Sequence, residues 1–85
     1  MAVRLIQIDD KTLSLEFDVA DIDRVEATIK NKYGKLRKKR AGIATNYKFG
    51  GCNFNFQNEW EDPCLITDTA KGREILKDLN RLLNS

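Results

Sequence analysis

The sequence predicts an α+β fold: a single small domain, residues 1–85, with a mainly antiparallel sheet and two helices packed on one face, in the order ββαβββα. Three observations predict this class. Apolar and polar residues alternate at 13–18, apolar residues recur every three or four positions in two later segments, and a glycine pair separates two strand-like stretches. These patterns are typical of half-buried strands, amphipathic helices and a tight hairpin, respectively.

The first two strands are predicted at residues 3–8 and 13–18, joined by the polar turn DDKT. In the second, Leu13, Leu15 and Phe17 alternate with polar residues, so one side faces a core. The first helix follows, and its apolar positions share one stripe: Ile22, Val25, Ile29 and Tyr33. We expect Asp18 or Asp21 to cap this helix and Gly34 to end it.

The second helix is predicted to begin between residues 67 and 69 and to run to residue 83. Its buried face is formed by Ile75, Leu76, Leu79, Leu82 and Leu83. Gly72 should weaken its first turn by about 1 kcal/mol relative to alanine. Glu74 and Lys77 are three residues apart, a spacing that predicts a weak surface ion pair.

The glycine pair Gly50-Gly51 predicts a two-residue hairpin, since primed turns need positive φ. That register divides the hairpin into two faces. One carries Tyr47, Phe49, Cys52, Phe54 and Phe56, and the other carries Asn46, Lys48, Asn53, Asn55 and Gln57. A short fifth strand is expected around residues 64–67.

The rings of this hairpin are expected to face the helices. Burial of each Phe is worth about 2 kcal/mol, whereas burial of unpaired amides costs a comparable amount. The alternative is an exposed aromatic platform for stacking nucleobases, which requires the helices to pack elsewhere. The amide face has two interpretations: a solvated surface with cross-strand hydrogen bonds, or a polar docking surface for a peptide or nucleic acid.

The charge is strongly concentrated along the chain. Seven of the 15 cations lie between residues 30 and 40 with no acid among them, which leaves eight cations against 13 acids elsewhere. We expect a polybasic loop that is either a solvated segment or a site for phosphate backbones. The predicted nucleic-acid-binding residues are Lys35, Arg37, Lys38, Lys39 and Arg40, flanked by Lys30, Lys32 and Lys48.

The turn NEWEDP suggests a second kind of surface. Trp is enriched at interface hot spots, so Trp60 is a candidate anchor for a protein partner, or else a cap at the edge of the core. The predicted partner-binding residues are Trp60, Asn46, Asn53 and Asn55. The neighbouring carboxylates are expected to be solvated rather than to form a cation cage.

The sequence lacks the residues that several classes of function require. The chain has no histidine, no phosphate-binding glycine loop and only two cysteines, Cys52 and Cys64, which are expected to be free. No apolar run reaches the length that crosses a bilayer, and the N-terminal segment lacks a secretory pattern. The sequence therefore predicts a cytoplasmic, non-catalytic binding protein with no metal and no cofactor.

The leading hypothesis is that this protein binds the backbone of DNA or RNA. The alternative is a protein-interaction module, such as an adaptor, an inhibitor or an immunity-type protein. A homodimer formed through an uncovered strand edge is a third hypothesis.

Overall fold

In the computed structural model, which describes residues 3–59 and 62–85, two helices cover one face of a six-stranded antiparallel sheet. The strands are β1 (Arg4–Gln7), β2 (Leu13–Glu16), β3 (Arg37–Ala41), β4 (Ala44–Phe49), β5 (Cys52–Glu59) and β6 (Asp62–Thr67). The helices are α1 (Ile22–Tyr33) and α2 (Ala70–Leu83). The predicted α+β class is confirmed.

The strand order across the sheet is β1-β2-β6-β5-β4-β3, and every neighbouring pair is antiparallel. After α1 the chain forms β3 at one edge of the sheet. Three successive turns then lead through β4 and β5 to β6, which pairs with β2. Because β6 is paired on both sides, it extends over Asp62–Thr67 rather than the shorter segment that was predicted. The edges of the sheet are β1 and β3.

The core lies between the sheet and the two helices, and the hairpin rings face it, as predicted. Tyr47, Phe49 and Phe54 are only 3%, 2% and 1% exposed, while Phe56 is half-buried at the margin. The rings of Phe49 and Phe54 stack with centroids 4.3 Å apart. Gly50 and Gly51 both have positive φ, and the predicted register of this hairpin is confirmed.

Helix α1 follows a short 3₁₀ turn, Val19–Asp21, and buries Val25 and Ile29. The predicted capping is wrong, because neither Asp18 nor Asp21 forms a side-chain cap hydrogen bond. Gly34 ends the helix as expected, with φ +88° and its N–H donating to the carbonyl of Lys30. No described helix has both the length and the apolar character needed to cross a bilayer.

Helix α2 begins with a side-chain cap. The hydroxyl of Thr69 accepts a 3.0 Å hydrogen bond from the N–H of Gly72. A Cβ at position 72 would lie 2.3 Å from Thr67 Oγ1 and 2.7 Å from Thr69 Oγ1. The glycine that costs helix propensity is therefore what allows the two threonines to approach the helix start. The predicted ion pair between Glu74 and Lys77 is present at 3.6 Å.

The polybasic segment is not the predicted loop. Lys30 and Lys32 lie on the last turn of α1, Lys35 lies in the connection, and residues 37–40 belong to β3. Pairing with β4 satisfies the backbone of one side of this strand. All five of its side chains are exposed, as an edge strand permits, and cations at an edge disfavour aggregation.

Candidate nucleic-acid interface

The sheet has one face covered by α1 and α2 and one face that neither helix covers, which we call the open face. Register and alternation assign its side chains. From β1 to β3 these include Arg4, Ile6, Ser14, Glu16, Cys64, Ile66, Asn53, Asn55, Gln57, Asn46, Lys48, Arg37 and Lys39. The open face is therefore mixed at its β1 end and becomes amide-rich and then cationic toward β3.

Strand β3 divides the basic run between the two faces. Lys38 pairs with Tyr47, whose ring is buried under α1, so Lys38 and Arg40 point to the helix-covered side. Arg37 and Lys39 point to the open face. There Arg37 lies directly opposite Lys48 of β4. These three open-face cations, Arg37, Lys39 and Lys48, form what we call the cationic strip.

The cationic strip is not neutralised by neighbouring acids. Strands β3 and β4 contain no acidic residue, and the only one in β5 is its last residue, Glu59. Arg37, Lys39 and Lys48 are exposed and form no ion pair with any described side chain. Like charges directly opposite in neighbouring strands are destabilising, so Arg37 facing Lys48 is a repulsive pair that a bound anion would relieve.

An amide layer adjoins the cationic strip. Asn46 Nδ2 donates a 3.0 Å hydrogen bond to Asn53 Oδ1 across β4 and β5. This bond uses part of the hydrogen-bonding capacity of each side chain. Asn53 and Asn55 are exposed and retain donors and acceptors for a partner. An open depression of about 340 Å³ lies here, lined by Thr12, Asn46, Asn53, Phe54, Asn55, Ile66, Thr67 and Asp68.

The rings of the described aromatic residues do not lie on the open face. All four Phe residues and both Tyr residues belong to the helix-covered side. The ring centroid of Tyr33, on α1, lies 5.6 Å from that of Phe49. The described part of the open face therefore presents charged and amide groups rather than aromatic rings.

The remaining predicted cations are dispersed. Lys38 Nζ lies 3.2 Å from Glu26 Oε1 and 6.0 Å from the ring centroid of Tyr47, so it is engaged within the fold. Lys32 pairs with Asp78 at 3.8 Å. Lys30, Lys35 and Arg40 are exposed and form no ion pair with a described residue. The eight predicted cations therefore do not converge on one surface.

The missed strand had a sequence signal. Gly42 and Ile43 separate β3 from β4, and Gly42 has φ +64°. A Gly-X pair is a known two-residue hairpin signal. With β3 recognised, alternation alone would have placed Arg37 and Lys39 beside Lys48.

The other predicted partner site lies partly outside the described residues. Trp60 and Glu61 fall in the segment between residues 59 and 62, so the prediction of a Trp60 anchor has no structural outcome. Asn46, Asn53 and Asn55 all lie on the open face. The protein-interaction hypothesis and the nucleic-acid hypothesis therefore share one described surface.

The two cysteines occupy opposite faces of the sheet. Cys52 is buried on the helix-covered side, and Cys64 is half-buried on the open face. Both are free, and side chains that point apart in this way cannot be bridged. Burial raises the pKa of the Cys64 thiol. Within residues 3–59 and 62–85 no cluster of three potential metal ligands occurs.

Comparison with other proteins identifies no relative. No family model matches the chain, and neither a curated protein nor a solved structure matches it.

Proposed function

We propose that this protein binds nucleic acid by contacting the phosphate backbone with the cationic strip. The observation that carries the proposal is the repulsive pair of Arg37 and Lys48, with Lys39 on the same face of β3 and no acid in either strand. Like charges in register cost stability, and a bound anion between them would offset that cost. Three phosphates would replace this repulsion with three favourable contacts.

The three cations have different roles in such contacts. Arg37 presents a planar guanidinium that grips a phosphate with two hydrogen bonds, whereas Lys39 and Lys48 act as point charges. Contacts of this kind position the nucleic acid without specifying its sequence. Asn53 and Asn55, next in the sheet, offer amides to sugars and base edges. Lys35 and Arg40 add long-range attraction.

The test is binding of labelled DNA and RNA of unrelated sequences over a range of salt concentrations. Three phosphate contacts predict a log–log salt slope between about −2 and −3. Lys39→Gln and Lys48→Gln should each weaken binding to all sequences and reduce the magnitude of the slope by about one. Lys11→Gln, at the far turn between β1 and β2, is the matched control and should change neither quantity.

Two results would refute the proposal. One is binding that does not depend on salt. The other is binding that weakens equally in Lys11→Gln and Lys48→Gln, since that pattern reflects net charge rather than the cationic strip. The proposal retains the predicted non-catalytic role and cytoplasmic location, and cell fractionation tests the location.

The second candidate is a protein-interaction module that uses the amide part of the open face. It is supported by the exposure of Asn53 and Asn55 beside the depression at Ile66. Affinity capture with and without nuclease separates the two functions, because a nucleic-acid-bridged partner is lost on digestion. Asn55→Asp should weaken a nuclease-resistant complex, whereas Lys48→Gln should weaken a nuclease-sensitive one.

A further inference from the structure

The outer edge of β3 is a second candidate binding site. Strand β3 pairs with β4 on one side, and no described strand pairs with its other side. All five of its residues, Arg37–Ala41, are exposed. An edge of this kind presents alternate backbone N–H and C=O groups to an incoming strand.

This edge carries cations on both faces of the sheet. Arg37 and Lys39 point to the open face, and Lys38 and Arg40 point to the helix-covered side. Glu26 holds Lys38, but Arg37, Lys39 and Arg40 have no described acidic partner. The side chains of an added strand also alternate between the two faces. An acidic side chain would therefore find an unpaired cation beside it on either face.

We propose that the outer edge of β3 binds an extended acidic segment of a partner protein as a seventh strand of the sheet. Backbone hydrogen bonds would supply the docking, and carboxylates opposite Arg37, Lys39 and Arg40 would select the acidic sequence. This site shares Arg37 and Lys39 with the cationic strip, but it also needs the free backbone edge and Arg40, and it does not need Lys48.

A second copy of this chain is a poor occupant of the same edge. Pairing β3 with its own copy would place four consecutive cations against four others, and like charges opposite each other are destabilising. The general role of edge lysines, which is to prevent such self-pairing, is compatible with the proposal. The charge that repels an identical strand attracts an acidic one.

The first test uses a labelled synthetic peptide of about seven residues, near the usual length of a strand. It contains Val and adjacent Glu residues, so that carboxylates lie on both of its faces. The control peptide has the same side chains but is N-methylated along its backbone, which removes the donors. We expect saturable binding of the first peptide and binding of the second that is weaker by about tenfold or more, because only the first can pair with the edge.

The second test uses charge-reversed variants. Arg40→Glu should weaken binding of the acidic peptide by about tenfold, since it turns one favourable cross-strand contact into a repulsive one. Lys48→Glu, one strand further in on β4, should weaken it less than Arg40→Glu, because it acts only by pairing with Arg37, and Lys11→Glu, at the opposite side of the sheet, should change it little. Binding of nucleic acid should show the reverse order, with Lys48→Glu more damaging than Arg40→Glu.

The outcomes separate the alternatives. Equal binding of the two peptides, or equal weakening in Arg40→Glu, Lys48→Glu and Lys11→Glu, would show adsorption to net charge and overturn the proposal. No peptide binding, or a β3-mediated dimer in sedimentation, would overturn it as well. Because the peptide is measured without nucleic acid, failure here leaves the proposed function standing, and failure of nucleic-acid binding leaves this site standing.

Discussion

The hydroxyl of Tyr47 on β4 donates a 2.7 Å hydrogen bond to Glu26 Oε2 on α1. Lys38 of β3 approaches the other oxygen of the same carboxylate, at 3.2 Å. Glu26 thus connects the first helix to the two strands that carry the cationic strip. The outer hairpin of the sheet, β3–β4, is held against the body of the fold by this contact as well as by its pairing with β5.

Tyr47→Phe should lower the free energy of unfolding by about 1.5 kcal/mol, the usual value of a hydrogen bond to a charged group. The ring remains to fill the core, but Glu26, whose side chain is only 15% exposed, loses its closest donor. Urea unfolding measures the change. Tyr33→Phe is the matched control and should cost less, since Tyr33 lies beside Asp78, which is already paired with Arg81 and Lys32.

The same contact predicts a dependence of stability on pH. Partial burial by itself would raise the pKa of Glu26, but the hydrogen bond from Tyr47 and the charge of Lys38 outweigh it and hold the pKa below its ordinary value. A carboxylate with a lowered pKa stabilises the fold above its ordinary pKa, and that contribution is lost as the pH falls through the folded value.

Glu26→Gln should therefore be less stable than the wild type at neutral pH, and the difference should shrink as the pH falls below the ordinary pKa of Glu, about 4.3. Urea unfolding of both proteins at each pH gives the difference in the free energy of unfolding directly. The other carboxylates titrate in both proteins, so their contributions cancel in this difference. A difference that stays constant, or grows in acid, would contradict the assigned role of Glu26.

Sequence reasoning succeeded where side-chain period and turn chemistry agree. The Gly50-Gly51 hairpin followed from these signals alone, and so did the inward direction of Phe54. It failed at β3, because a strand whose side chains are nearly all charged has no apolar alternation to reveal it. Its conformation is set by pairing with β4, and the Gly42-Ile43 turn between the two strands was the local signal of that pairing.

That failure also affected the candidate site. The residue types were predicted from composition, but a loop, unlike a strand, does not alternate its side chains between two faces. The division of the basic run into open-face and helix-side cations was therefore not predicted. The register opposite Lys48 was missed for the same reason. The wrong prediction of the helix cap has another cause. Two Asp residues precede α1, but the chain enters the helix through a 3₁₀ turn, and neither carboxylate accepts a hydrogen bond from a free amide of the first turn.

Gly72→Ala should destabilise the protein although alanine is the better helix former by about 1 kcal/mol. The new methyl group would overlap Thr67 Oγ1 and Thr69 Oγ1, so we expect a net loss of about 1–3 kcal/mol, typical of overpacking. Thermal or urea unfolding measures it. In the double variant with Thr67→Ala the loss should be smaller than the sum of the single losses, because the closest overlap is gone.

The two cysteines should differ in reactivity toward iodoacetamide in the folded protein. Cys64 is half-buried on the open face and should react, but more slowly than a free thiol at neutral pH, because burial raises its pKa and lowers the thiolate fraction. Cys52, 7% exposed beneath the helices, should stay unmodified until the protein unfolds. Mass spectrometry after timed alkylation, with and without urea, distinguishes the two sites. Rapid labelling of Cys52 in the native state would show that the hairpin face carrying Phe49 and Phe54 is not sealed by the helices, which would remove the basis for assigning the open face to the opposite side.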